Sequence, residues 1–177
     1  MLLSMPSHPA DPTLQARLLS TLLANLEGMV YRCRLDQHWT MEFVSEGCFA
    51  LTGYTEEDLL FNSRISYEQI THPDDRQHVR DTIQEAVRNN RSFDIEYRIV
   101  RADGSIRHVW ERGTNISHDT FDILEGFIQD VTERKQADEA LREAERRYRS
   151  IFENAIEGIY QSCLLYTSDA ADERSSV

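Results

Sequence analysis

Cysteine is scarce in this sequence. The 177 residues hold three, Cys33, Cys48 and Cys163, and none stands in CxxC spacing. That argues against a disulfide framework or a thiolate zinc site and leaves free thiols. Positive charge is also short, with 19 Lys+Arg against 31 Asp+Glu and a formal charge of -12. So acidic a balance argues against non-specific binding to nucleic acid or anionic lipid, both of which set Lys and Arg against phosphate. No apolar run approaches the roughly 20 residues of a membrane helix. The opening MLLSMPSHPADP lacks the basic region and apolar run of a signal peptide. A cytoplasmic segment with no membrane and no nucleic-acid partner is the expectation. Catalytic signatures are missing too: there is no GxSxG, HExxH, Walker A or GxGxxG motif. Nor is there a phosphoacceptor-histidine segment, a kinase ATP-binding region or a GGDEF-like segment. The chain as it stands is expected not to be an enzyme.

What is present is a regular alternation of signals. Asp11-Pro12 opens a helix, with Asp at the cap and Pro at the first helical position. Leu14, Leu18, Leu22 and Leu26 give it an apolar stripe, widened by Leu19 and Leu23. Gly28 ends it. Residues 29–35 and 41–44 read as paired strands about the turn at Asp36-Gln37-His38. Residues 45–70 suit short helical turns, with Gly53 as a stop and Thr55 as a start. His72-Pro73-Asp74-Asp75 begins a longer helix, its carboxylates at the positive end of the dipole. Val79, Ile83, Ala86 and Val87 form its buried face, and Asn89-Asn90 closes it. Residues 93–99 alternate apolar and charged, the period of a strand with one buried face. Asp103-Gly104 centres a hairpin. A returning strand over 106–116 has Val109 and Trp110 as packing residues, Ser117-His118-Asp119 turns the chain, and 121–131 is a further strand.

After Thr132 the spacing changes. Ala137, Leu141, Ala144, Tyr148 and Ile151 follow coiled-coil seam steps, with acid-first i,i+4 pairs such as Glu143 and Arg147 alongside. The competing reading is a solvated helix docked on its own domain. An exposed apolar stripe on each flanking helix predicts a homodimer through those helices.

Several local motifs resemble one family, and they occur in the family's order. Val44-Ser45-Glu46-Gly47-Cys48 runs into Leu51-Thr52-Gly53-Tyr54, then come His72-Pro73-Asp74-Asp75-Arg76, residues 93–100 with the Asp103-Gly104 turn, and Trp110-Glu111-Arg112-Gly113. Gly126 and then Asp130-Val131-Thr132-Glu133-Arg134-Lys135 complete the set. The chain thus resembles a PAS domain with a PAC motif, of the PAS fold-3 type. The resemblance implies an α+β fold: a five-stranded antiparallel sheet, strand order 2-1-5-4-3, with short helices over one face around a small cavity. It also implies the N-terminal part of a multi-PAS bacterial signalling protein, of the sensor histidine kinase or diguanylate cyclase type, active in two-component or phosphorelay signalling. The expected organisation is a disordered N-terminus over 1–12, a flanking helix over 13–27, the PAS/PAC domain over 28–132 and a coiled-coil linker helix over 133–149. Residues 150–162 resemble the opening of a second, truncated PAS domain, with Ala155-Ile156-Glu157-Gly158-Ile159-Tyr160 paralleling Asn25-Leu26-Glu27-Gly28-Met29-Val30-Tyr31. Residues 163–177 resemble a translated sequencing adaptor, which would leave Cys163 without biological meaning.

The implied function is an input module that relays a ligand or redox signal through its last strand and linker helix to a downstream PAS and output domain. The alternative is a ligand-free PAS acting in dimerisation and protein interaction. Asp130, Val131 and Thr132, at the strand-to-helix junction, are the candidate relay residues, with Asp130 or Thr132 able to cap the helix. No cofactor is named by the sequence. Haem would need an axial histidine in the cavity, and His78 reads as solvent-facing while His108 lies on a strand. LOV-type flavin chemistry needs a reactive Cys in an Asn-Cys-Arg-Phe-Leu-Gln motif, which the surroundings of Cys48 do not match. A metal at His72, Asp74, Asp75 and His78 competes with the simpler account from the helix dipole, and no metal site is expected.

Overall fold

The computed structural model describes residues 12–117 and 122–172. The chain divides into two units, residues 1–132 and 133–177. In the first, helix α1 (Pro12–Ala24) precedes strands β1 (Met29–Arg34) and β2 (Met41–Val44). Short helices α2 (Gly47–Thr52), α3 (Glu56–Leu59) and α4 (Tyr67–Ile70) follow, then a 3-10 turn (Pro73–Asp75) and helix α5 (Arg76–Arg88). Strands β3 (Phe93–Val100), β4 (Ile106–Ser117) and β5 (Asp122–Asp130) complete the sheet, and helix α6 (Thr132–Asp172) begins two residues later. The five strands are antiparallel in the order β2-β1-β5-β4-β3, as the family resemblance implied.

Local chemistry accounts for most of the boundaries. Gly53 stops α2 in the left-handed conformation, φ +77°, with its N–H on the Phe49 carbonyl, the role a glycine fills without Cβ strain. Thr55 with Asp58, and Ser66 with Gln69, form reciprocal capping boxes that make four-residue helices viable. Val79, Ile83 and Ala86 of α5 are buried, as their spacing requires, and Val87 is half-buried. The hairpin at Asp103-Gly104 turns with Gly104 at φ +80° and the Ser105 N–H donating to Asp103. The expected disordered stretch over 1–12 lies almost wholly outside the described residues. So does the turn at Ser117-His118-Asp119, save for Ser117, the last residue of β4, and so do residues 173–177.

Two expectations need correction. Trp110 does not pack in the core beside Val109: adjacent strand residues face opposite sides, and Trp110 is half-exposed with its indole N–H on Asp94 at 2.6 Å. Glu111 takes the buried position instead. In the second unit, α6 does not end near 149 but runs to Asp172, through the segment that resembles the opening strand of another PAS domain. A helix satisfies its backbone hydrogen bonds within itself, whereas a strand needs neighbours, and no strand follows β5 among the described residues.

Candidate functional site

The inner face of the sheet carries an unusual polar group. Glu111 on β4 is 4% exposed, a position where a carboxylate is rare unless its oxygens are satisfied. Tyr31 of β1 donates to its Oε1, and Tyr97 of β3 donates to its Oε2 at 2.6 Å. The Tyr67 hydroxyl, from α4, lies 3.2 Å from that of Tyr97. Four side chains from three strands and a helix therefore share one buried network.

Register explains how Tyr31 reaches Glu111. Strand β5 lies between their strands, and Tyr31 pairs with Gly126, which in turn pairs with Gly113 of β4. A Cβ on Gly126 would stand 2.9 Å from the Tyr31 ring and 2.6 Å from the Arg112 carbonyl oxygen. On Gly113 it would meet the Tyr31 hydroxyl at 2.9 Å and the Phe93 ring at 2.4 Å. Two side-chain-free positions side by side thus form the notch in which the tyrosine lies across the sheet.

Electrostatics follow from burial. Desolvation raises the Glu111 carboxyl above its ordinary range, and the two tyrosine hydrogen bonds offset part of that rise. Tyr31 and Tyr97 are pushed well up, by burial first and the Glu111 charge second, and Tyr67 is raised for the same reasons. Cys33, on the same wall, is raised by burial and by Glu111, which keeps it a thiol. The network closes around a void of about 10 Å³, room for about one water. Trp39, on its wall, is held from behind: Arg80 of α5 lies 4.7 Å from the Trp39 ring centre and bonds Glu68, which also accepts the Trp39 indole N–H. This clamp holds Trp39 at φ +52°, a left-handed backbone that a bulky residue adopts only under surrounding constraint.

The residues singled out from sequence lie elsewhere. Asp130 ends β5, and its carboxylate accepts the Thr132 N–H at 2.8 Å. Thr132 turns its hydroxyl to β4, accepting the His108 N–H at 2.9 Å, while the Val131 N–H donates to the His108 carbonyl at 2.9 Å. Val131 and Thr132 are buried. His78 is exposed and His108 half-buried on β4. Cys48 is buried in α2, its thiol pushed up to about 11 by desolvation. Asp75 is taken by Arg98 through paired contacts of 2.9 and 2.6 Å, which hold its carboxyl down at about 2. Glu111 itself was not singled out. The signal was the alternation Val109, Glu111, Gly113, which puts the glutamate on the core face.

Comparison with known proteins agrees with this architecture. Residues 41–126 match the PAS_3 family model, described as a PAS fold. The methyl sulfide methyltransferase-associated sensor of Methanosarcina acetivorans is 35% identical over 116 residues, 64% of this chain and 11% of its own length. The chain thus spans about a tenth of that relative. A sensory box histidine kinase/response regulator structure from Burkholderia thailandensis superposes with a TM-score of 0.59 at 22% identity, over 74% of this chain and 97% of that one. The N-terminal domain of a diguanylate cyclase with PAS/PAC sensor from Marinobacter aquaeolei gives 0.51 at 15% identity, over 61% and 98%. Family model, strand order and helical cover coincide, and the chain carries a PAS domain of the PAS_3 family, a sensory module.

Proposed function

We propose that this PAS domain is the input module of a longer signalling protein, with the Glu111 cavity as the sensing site and the β5–α6 junction as the exit for the signal. The output would be a histidine kinase or diguanylate cyclase, as in the proteins whose domains it resembles. The observation that carries this reading is the double role of β4. Its side chain at Glu111 faces the cavity, and three residues earlier the His108 peptide grips Val131 and Thr132 through both its N–H and its C=O. A change of charge or occupancy at Glu111 displaces β4, and β4 is bonded to the first residue of α6. Such a strand shift can be passed on as a rotation or register change of the helix.

Hydrogen exchange on this chain tests the coupling. Glu111→Gln should alter amide protection at the β5–α6 junction, residues 130–136, while the rest of the sheet stays protected. Unchanged protection there in a folded variant would overturn the relay. In a protein that carries the output domain, Asp130→Ala should uncouple output from input without loss of fold.

A second reading, a dimerisation module, is favoured by the flanking helices. Leu14, Leu18 and Leu22 of α1 are more than half exposed, as are Leu141, Tyr148 and Ile151 of α6. Such stripes are stabilised by pairing, and a homodimer joined through these helices is compatible with relay. Sedimentation of wild type against Leu22→Glu and Leu141→Glu tests the pairing: both variants should shift towards monomer.

A further inference from the structure

The hydroxyl protons of the buried network can be counted. Tyr31 donates to Glu111, and Tyr97 donates to Glu111 at 2.6 Å. With the Tyr97 proton committed there, the 3.2 Å contact between the Tyr97 and Tyr67 hydroxyls needs the Tyr67 proton. Each hydroxyl has one proton, so all three are spent around an ionised Glu111. The other polar side chains of the wall are committed as well. The Thr71 hydroxyl donates to the Tyr67 carbonyl at 3.0 Å, and the Trp39 indole N–H donates to Glu68 at 2.7 Å. What remains facing the void is a set of acceptors. A carboxylate has about four lone-pair positions, two of them used, and the three phenol oxygens add more. Among the described residues of the wall, the side-chain donor left is the weak Cys33 thiol. Among the described residues lining the void none is cationic, so the carboxylate has no counter-charge. The walls are otherwise aromatic or apolar.

We propose that this void is a binding site for ammonium, with Glu111 as the anionic partner and the Tyr31, Tyr67 and Tyr97 oxygens as hydrogen-bond acceptors. The match is threefold. The ligand supplies the positive charge that the buried carboxylate lacks. It is donor-only, as the acceptor-only wall requires. Ammonium is close to water in size, and the space holds about one water. A metal cation fits less well, because the groups offered are one carboxylate and phenols already engaged, whereas N–H donors can point at several acceptors from one centre. Burial shifts the Glu111 carboxyl towards its protonated form, whereas the cation favours the carboxylate, so binding should tighten as pH rises. The titratable groups that face Glu111 are Tyr31 and Cys33 from β1, Tyr67 from α4 and Tyr97 from β3, all raised. Helix α5 and strand β5 contribute only apolar side chains.

The inference rests on reading this cavity as the sensing site, yet its test is independent of the relay. The purified full chain is titrated with ammonium chloride. Potassium and tetramethylammonium chlorides at equal ionic strength are the controls. Thermal unfolding and tyrosine and tryptophan fluorescence are read in parallel. Ammonium should raise the midpoint by a few degrees in a saturable way, more at higher pH. Tetramethylammonium, which has no N–H, should not, and potassium should have little effect. Glu111→Gln should abolish the response, and Tyr67→Phe, which keeps both donors to Glu111, should weaken it several-fold. A wild type indifferent to ammonium, an equal response to potassium, or a response that survives Glu111→Gln would each overturn the proposal and leave the space to a water. Failure here with an intact effect of Glu111→Gln on exchange at the junction would sink the ligand and spare the relay.

Discussion

Tyr31 on β1 hydrogen-bonds Glu111 on β4 across an intervening strand, through a gap left by Gly126 and Gly113. The contact joins one side of the sheet to the other on the buried face. It makes a pair of glycines part of the site's construction.

Filling the gap should break the link. Gly126→Ala brings a methyl group against the Arg112 carbonyl and the Tyr31 ring, and overpacking of this kind costs about 1–3 kcal/mol. Urea denaturation should show that loss. Combined with Tyr31→Phe, the two costs should be less than additive, since the alanine already displaces the hydroxyl that phenylalanine lacks.

Glu111 should write itself into the pH dependence of stability. Its carboxyl is raised in the folded state, so the native protein binds the proton more tightly than the unfolded chain does. The contribution is therefore fully present below the ordinary glutamate value and is lost as pH rises through the raised one. Urea midpoints measured upward from the ordinary glutamate range should fall in wild type, and that slope should vanish in Glu111→Gln. The amide can still accept from Tyr31 and donate to Tyr97.

Asp75 should behave in the opposite sense. The Arg98 guanidinium holds its carboxyl at about 2, against an ordinary 3.8. Its stabilisation is present above 3.8 and is lost as pH falls through about 2. Asp75→Asn should flatten the acid limb of the stability curve over that interval. It should also loosen the tie between the 3-10 turn and β3, where Asp75 accepts the Arg98 backbone N–H at 2.9 Å.

At the junction, Thr132→Val keeps shape but removes the acceptor for the His108 N–H. An unsatisfied buried donor costs about 1–3 kcal/mol. The expected outcome is faster amide exchange at His108 and in the first turn of α6, with the β3–β4 pairing unaffected. Asp130→Ala should add a capping loss of about 0.5–2 kcal/mol, read by the same exchange experiment.

Sequence alone determined the elements of the sheet domain and their order, though not the extent of α6. Capping residues, the Asp103-Gly104 turn and the strict alternation over 93–99 are local signals, set by backbone geometry within a few residues, and family motifs supplied the strand order. The junction at Asp130, Val131 and Thr132 was likewise legible, because a strand ending in a cap before a helical repeat is a local pattern. The buried network was not. Glu111 is one acidic residue among many in sequence, and only the period of β4 sets it inward. Tyr31, Tyr67 and Tyr97 come from segments far apart, and nothing local says that their hydroxyls meet. Their meeting depends on register across four strands and on two glycines that are neighbours only once β4 and β5 pair. Long-range pairing, which no short window of sequence encodes, decided where the charge was buried and so what the cavity can hold.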